Sequence, residues 1–74
     1  MNKAYEKIVG ERIRDLRENI NMTQEQLSAK LQTLGCDLTR SAVAKIEVGQ
    51  RHIYLDEIKA IATIFKTSID DILI

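Results

Sequence analysis

Residues 22–51, MTQEQLSAKLQTLGCDLTRSAVAKIEVGQR, decide how this chain folds. They divide into two helices with different tasks. Thr23 and Gln26 have the spacing of a capping box, and Met22 and Leu27 fall at the two positions of a hydrophobic staple, so a helix starts at Thr23. Leu27, Leu31 and Leu34 continue its apolar stripe, and Gly35 ends it. A second helix repeats the logic, with Thr39 as cap, Leu38 and Val43 as staple and Gly49 as stop. Each helical residue advances about 100°, which sets Arg40, Ala44, Val48, Ser41 and Lys45 within about 140° of arc and throws Val43 and Ile46 to the far side. One edge is therefore apolar and anchored. The other carries two cations, a hydroxyl and small side chains.

The flanking sequence supplies the packing for this pair. Val9, Ile13, Leu16 and Ile20 form the buried stripe of a first helix over about 5–20, with Asn21 as a left-handed stop. Ile58, Ile61, Ala62 and Phe65 mark a fourth helix over about 55–65. Ser68 and Asp71 open a short fifth one, with Asp70 and Asp71 well placed in its first turn. No alternating apolar–polar run, proline, internal repeat or linker interrupts this pattern. The chain reads as one all-α, compact five-helix domain spanning 1–74.

Composition narrows the function. Seventy-four residues, 45% hydrophobic and 30% charged, are ordinary for a small folded domain. No apolar run approaches the ~20 residues that span a bilayer, and the N-terminus lacks a signal-peptide core. The single Cys36 cannot form an internal disulfide, which suits a reducing cytoplasm. One Cys and one His exclude a conventional zinc site. A Cys36–His52 couple would need mutual hydrogen-bond reach and a third group to orient it. With no phosphate-binding glycine loop and little room for a cleft, an enzyme is not expected.

Eleven basic and eleven acidic residues cancel, but not locally. Residues 38–51 carry Arg40, Lys45 and Arg51 against Glu47 alone, whereas residues 52–74 carry an acidic excess. Positive charge thus gathers on the second helix of the pair and the turn after it. A helix of this kind fits the DNA major groove: Arg40 has the fork for guanine O6 and N7, Lys45 suits guanine or phosphate, Ala44 suits a thymine methyl, and Ser41 lets the backbone approach. Taken alone, the same helix reads better as an amphipathic surface helix with a solvated face.

Its surroundings separate the two. Residues 10–13 with Leu16-Arg17, then Thr23-Gln24-Glu25-Gln26-Leu27, Ser41, Val43, Lys45-Ile46-Glu47, Gly49, Arg51, Leu55, Ile58, Ile61-Ala62 and residues 68–73 occur in the order of the phage repressor and Cro helix-turn-helix family. The chain resembles that family over essentially residues 9–73. The resemblance implies a lambda-repressor-like DNA-binding domain, with the helix-turn-helix at about 23–49, in a bacterial or phage transcriptional regulator acting on a double-stranded operator. It implies base contacts by Arg40, Ser41, Ala44 and Lys45, and backbone contacts by Gln24, Thr39, Gln50 and Arg51. It also implies a largely buried salt bridge between Arg17 and Glu47, tying the first helix to the third. No cofactor or metal is implied. The departure is residues 32–38, QTLGCDL, which lengthen the usual connection of about four residues and loosen the expected register of Arg40 and Ser41; Leu34 and Leu38 should close it onto the core.

Two further expectations concern partners. Two or three base contacts give one domain limited discrimination, so a weak or DNA-assisted homodimer is expected, with Leu73 and Ile74 either pairing across its axis or packing beneath the fourth helix. The alternative function is an antitoxin or protein-interaction module of the same fold, with a toxin as partner. The chain reads equally as a complete short regulator or as the DNA-binding part of a longer repressor.

Overall fold

The computed structural model describes residues 2–73, with five helices: α1 Lys3–Asn19, α2 Gln24–Thr33, α3 Arg40–Glu47, α4 Leu55–Phe65 and α5 Ile69–Leu73. The fold is the all-α five-helix domain expected. α1 packs on α3, α4 and α5, α2 on α3 and α4, and α4 on α5. Val9 and Ile13 of α1, Leu27 and Leu31 of α2, and Val43 and Ile46 of α3 meet Ile58, Ile61 and Ala62 of α4 and Ile72 of α5 in one core. No helix among the described residues is long and apolar enough to cross a membrane.

The helix starts follow the sequence signals. Thr23 Oγ1 accepts from Gln26 N at 3.0 Å while Gln26 Oε1 accepts from Thr23 N at 2.9 Å, the reciprocal capping box. Thr39 Oγ1 accepts from Ala42 N at 3.1 Å, and Leu38 and Val43 are both buried. Ser68 Oγ accepts from Asp71 N at the head of α5. α1 begins earlier than its apolar stripe suggests, because Asn2 caps it by accepting from Tyr5 N.

Several helices also stop alike. Asn21, Gly35 and Gly49 take positive φ, and the amide one residue further on reaches back to the last helical turn: Met22 N to Arg17 O, Cys36 N to Leu31 O and Gln50 N to Lys45 O. Lys66 adopts the same left-handed conformation after α4, which nothing in its residue type announces.

Two expected core residues lie outside. Ile20 is 54% exposed because the helical phase ends at Asn19, one residue before it. Leu34 is 49% exposed because α2 stops at Thr33. Leu38 closes the connection with Cys36 half-buried beside the core, and the Leu38 carbonyl accepts from Ser28 Oγ at 2.6 Å. Leu73 is half-buried against the core, and its carbonyl accepts from the Tyr5 hydroxyl, so it packs under its own fold. Ile74 lies outside the described residues.

Two glycines set how closely α1 meets α3 and the segment after it. A Cβ at Gly10 would collide with the Ile46 carbonyl oxygen and sit 3.0 Å from that of Glu47. At Gly49, φ is +76° and a Cβ would lie 2.9 Å from Lys7 Cα, so both conformation and space demand glycine.

Candidate nucleic-acid interface

Glu47, in the last turn of α3, is 2% exposed, and Arg17 of α1 is 8% exposed. Arg17 grips it with two prongs, Nε to Oε2 at 2.7 Å and Nη2 to Oε1 at 3.0 Å, while Nη1 donates to the Met22 carbonyl at 2.7 Å. Bidentate, charge-assisted pairs of this geometry are the strong ones. The Glu47 hydrogen bonds hold Arg17 above its ordinary pKa despite burial. Gln24, the first residue of α2, adds a third bond, Nε2 to Glu47 Oε1 at 3.0 Å. The Arg17–Glu47–Gln24 cluster therefore ties together α1, the turn after it, the head of α2 and the end of α3.

The opposite side of α3 is open. Arg40, Ser41 and Lys45 are exposed, and no side-chain hydrogen bond or ion pair engages them among the described residues; Ala44 is half-buried. Thr39 is exposed with its hydroxyl on Ala42 N. Gln50 is exposed, and its backbone N–H caps α3 at the Lys45 carbonyl, 2.8 Å away. A short helix locked on one face by burial and a buried ion pair thus offers an unpaired cationic face on the other.

Arg51 differs from the other residues implied for DNA contact. Its Nη1 and Nη2 bond Glu57 Oε1 and Oε2 at 2.9 and 3.0 Å, and Nη1 also donates to the His52 carbonyl at 2.7 Å. The guanidinium carbon lies 5.8 Å from the Tyr54 ring centroid, within cation–π range. Only Nε–H and the second Nη2 hydrogen stay spare. Burial works against the charged form of Glu57, but Arg51 and the Tyr54 N–H outweigh it and its pKa is lowered.

Glu6, a residue the sequence did not single out, performs a parallel task from α1. It is 4% exposed. Its carboxylate takes His52 Nδ1 at 2.9 and 3.1 Å and the Ile53 N–H at 3.1 Å. Burial opposes its charge, yet these bonds prevail and its pKa is lowered. Glu6 and Glu57 together pin the segment between α3 and α4 from two sides. The sequence carried half a signal for Glu57, which sits three residues after the α4 cap Tyr54 and accepts its N–H. It carried none for Glu6, whose partners lie 46 and 47 positions away. The same interaction occupies His52, and burial pushes the Cys36 thiol above its ordinary pKa, the direction opposite to nucleophile activation.

Residues 13–72 match the model of the helix-turn-helix family. The chain belongs to that family, in its Cro/C1-type branch. Its fold is similar to the crystal structure of the restriction-modification controller protein C.AhdI from Aeromonas hydrophila, with a TM-score of 0.83 and 30% identity over 95% of this chain and 94% of that one. It is also similar to the DNA-binding domain of BldD, with a TM-score of 0.81 and 100% of each chain covered; at 16% identity that likeness is one of fold. No curated protein matches the chain. Family membership makes this chain a DNA-binding transcription regulator.

Proposed function

We propose that the regulator binds a double-stranded operator sequence-specifically by seating α3 in the major groove. Arg40, Ser41, Ala44 and Lys45 face the bases in this arrangement. Gln24, Thr39 and Gln50 hold the sugar-phosphate backbone. Gln24 keeps one N–H to donate to a phosphate while bonded to Glu47, and the N-terminus of α2 adds favourable dipole there. Arg51 acts chiefly by bracing the segment that carries Gln50, and any phosphate bond it makes uses its two spare donors.

One observation carries the proposal. α3 is fixed from behind by the Arg17–Glu47–Gln24 cluster, while its Arg40, Ser41 and Lys45 face has no partner among the described residues. The rod itself loses little further order when its side chains meet base edges, and preorganisation of the backbone in that way spares part of the cost of binding.

Magnitude argues for two copies on DNA. Each good base contact is worth ~1–3 kcal/mol of discrimination, so one domain is a poor selector among genomic sites. Two-fold-related half-sites about 34 Å apart double the readout. The regulator therefore works as a weak or DNA-assisted homodimer, and sedimentation on operator DNA should show two copies per site.

The test is selection of bound duplex from a random pool, repeated with Arg40→Ala and Lys45→Ala. Each variant should relax preference at defined base pairs. Uniform weakening across all sequences would reduce these residues to phosphate binders and remove the groove assignment. A toxin or other protein partner in place of DNA would show as a shallow salt dependence, whereas four to six phosphates per half-site predict a slope of about −3.6 to −5.4 in log affinity against log salt for each half-site, and about twice that for the dimer on both.

A further inference from the structure

An open cleft of about 420 Å³ lies beside the end of α3, lined by Lys3, Glu6, Gly49, Gln50, Arg51 and His52. It adjoins the proposed reading face, because the Gln50 N–H bonds the Lys45 carbonyl at 2.8 Å and folds the segment back over the last turn of α3. We infer that this cleft is a second backbone-binding surface, in which Lys3 of its lining and Lys7, whose stem adjoins the cleft residue Gly49, hold a phosphodiester of the operator strand beyond the base pairs read by α3. The inference rests on the groove placement of α3 and extends it.

The charges in the cleft are already sorted. Glu57 neutralises Arg51, and the carboxylate of Glu6 is consumed by His52 Nδ1 and the Ile53 N–H, leaving Nε2 as the free ring nitrogen of His52. Lys3 and Lys7 keep an unopposed charge: both are exposed, and among the described residues neither has an acidic partner. Lys7 stands on the α1 turn whose backbone packs against Gly49. Their placement is locally unfavourable. Lys3 is the first residue of α1, where the helix dipole disfavours a cation, and it stands four before Lys7 on one helix face, where like charges repel; Glu11, four after Lys7, offsets the repulsion for Lys7 but not for Lys3. An anion in the cleft relieves both conflicts, and a DNA strand leaving the groove past Gln50 supplies one.

The test compares the full chain with its Lys3→Gln/Lys7→Gln variant on the selected operator and on a random duplex, over a range of salt. Both lysines are exposed, and circular dichroism checks that the variant folds. The salt slope should shrink by about 0.9 for each phosphate no longer neutralised, with weakening equal on both duplexes and base preference unchanged. Lys59→Gln/Lys66→Gln, which removes two exposed lysines from α4 and its end, should leave the slope at the parent value. A Lys3→Gln/Lys7→Gln slope equal to the parent's overturns the inference, as does a control that falls as far. Failure of the α3 placement is separately visible, as base preference that survives Arg40→Ala and Lys45→Ala while the lysine slope still changes. A parent that binds no duplex refutes both.

Discussion

Arg17→Ala removes one partner from the most buried charge in the interface. Glu47 would keep only the Gln24 amide, its side chain 1% exposed, with two charge-assisted bonds gone. The Met22 carbonyl would lose its donor as well. Because Arg17 and Glu47 side chains are 10% and 1% exposed, solvent screening scarcely discounts the loss. Breaking such a pair costs ~3–5 kcal/mol. A chain of this length holds about 4–11 kcal/mol in all, at about 0.05–0.15 kcal/mol per residue. The substitution should therefore consume about a quarter or more of the stability and lower Tm by at least about 12 °C. Urea melts followed by helical circular dichroism measure it. Replacing both partners, as Arg17→Met/Glu47→Leu, should recover most of the loss, because no uncompensated charge is left and Gln24 can turn to water. A loss below about 1 kcal/mol for Arg17→Ala would refute the reasoning, as would a double variant no more stable than the single one.

Two other perturbations test the packing and the pinned segment. Gly10→Ala normally stabilises a helix, but here the added methyl meets the Ile46 carbonyl, so the variant should lose about 1–3 kcal/mol in chemical melts, and a gain would contradict the close approach of α1 to α3. Glu6 and Glu57 have pKa values lowered below the ordinary 4.5, so the stability they contribute is fully present above that value and drains away as pH falls through their lowered values. Melting temperature should fall more steeply below pH 4.5 in the parent than in Glu57→Gln; parallel curves would remove Glu57 from the account.

The helix borders were legible because their causes are local. Thr23 with Gln26, Met22 with Leu27, and Leu38 with Val43 stand five positions apart or fewer, and each is visible in sequence order. Ile20 and Leu34 misled for the complementary reason: an apolar stripe says which face is buried while the helix lasts, not where the helix stops. The open face of α3 followed from periodicity, since Val43 and Ile46 define its buried side. The Arg17–Glu47 pair came through family resemblance, because nothing in composition brings together two charges 30 residues apart. Glu6 and the engagement of Arg51 stayed hidden. Both place a carboxylate where patterning expects a solvated charge, and only tertiary approach of α1 and α4 to the segment after α3 gives them partners.

In the proposed complex the Arg40 and Lys45 face of α3 reaches guanine edges in the major groove. Replacing single guanines of the selected operator by 7-deazaguanine removes N7 and leaves pairing intact, which makes it the most direct measurement. Parent protein should lose ~1–3 kcal/mol of binding at one or two positions per half-site, and Arg40→Ala should lose nothing further at the position Arg40 reads. Equal tolerance of 7-deazaguanine at every position by the parent would contradict that placement.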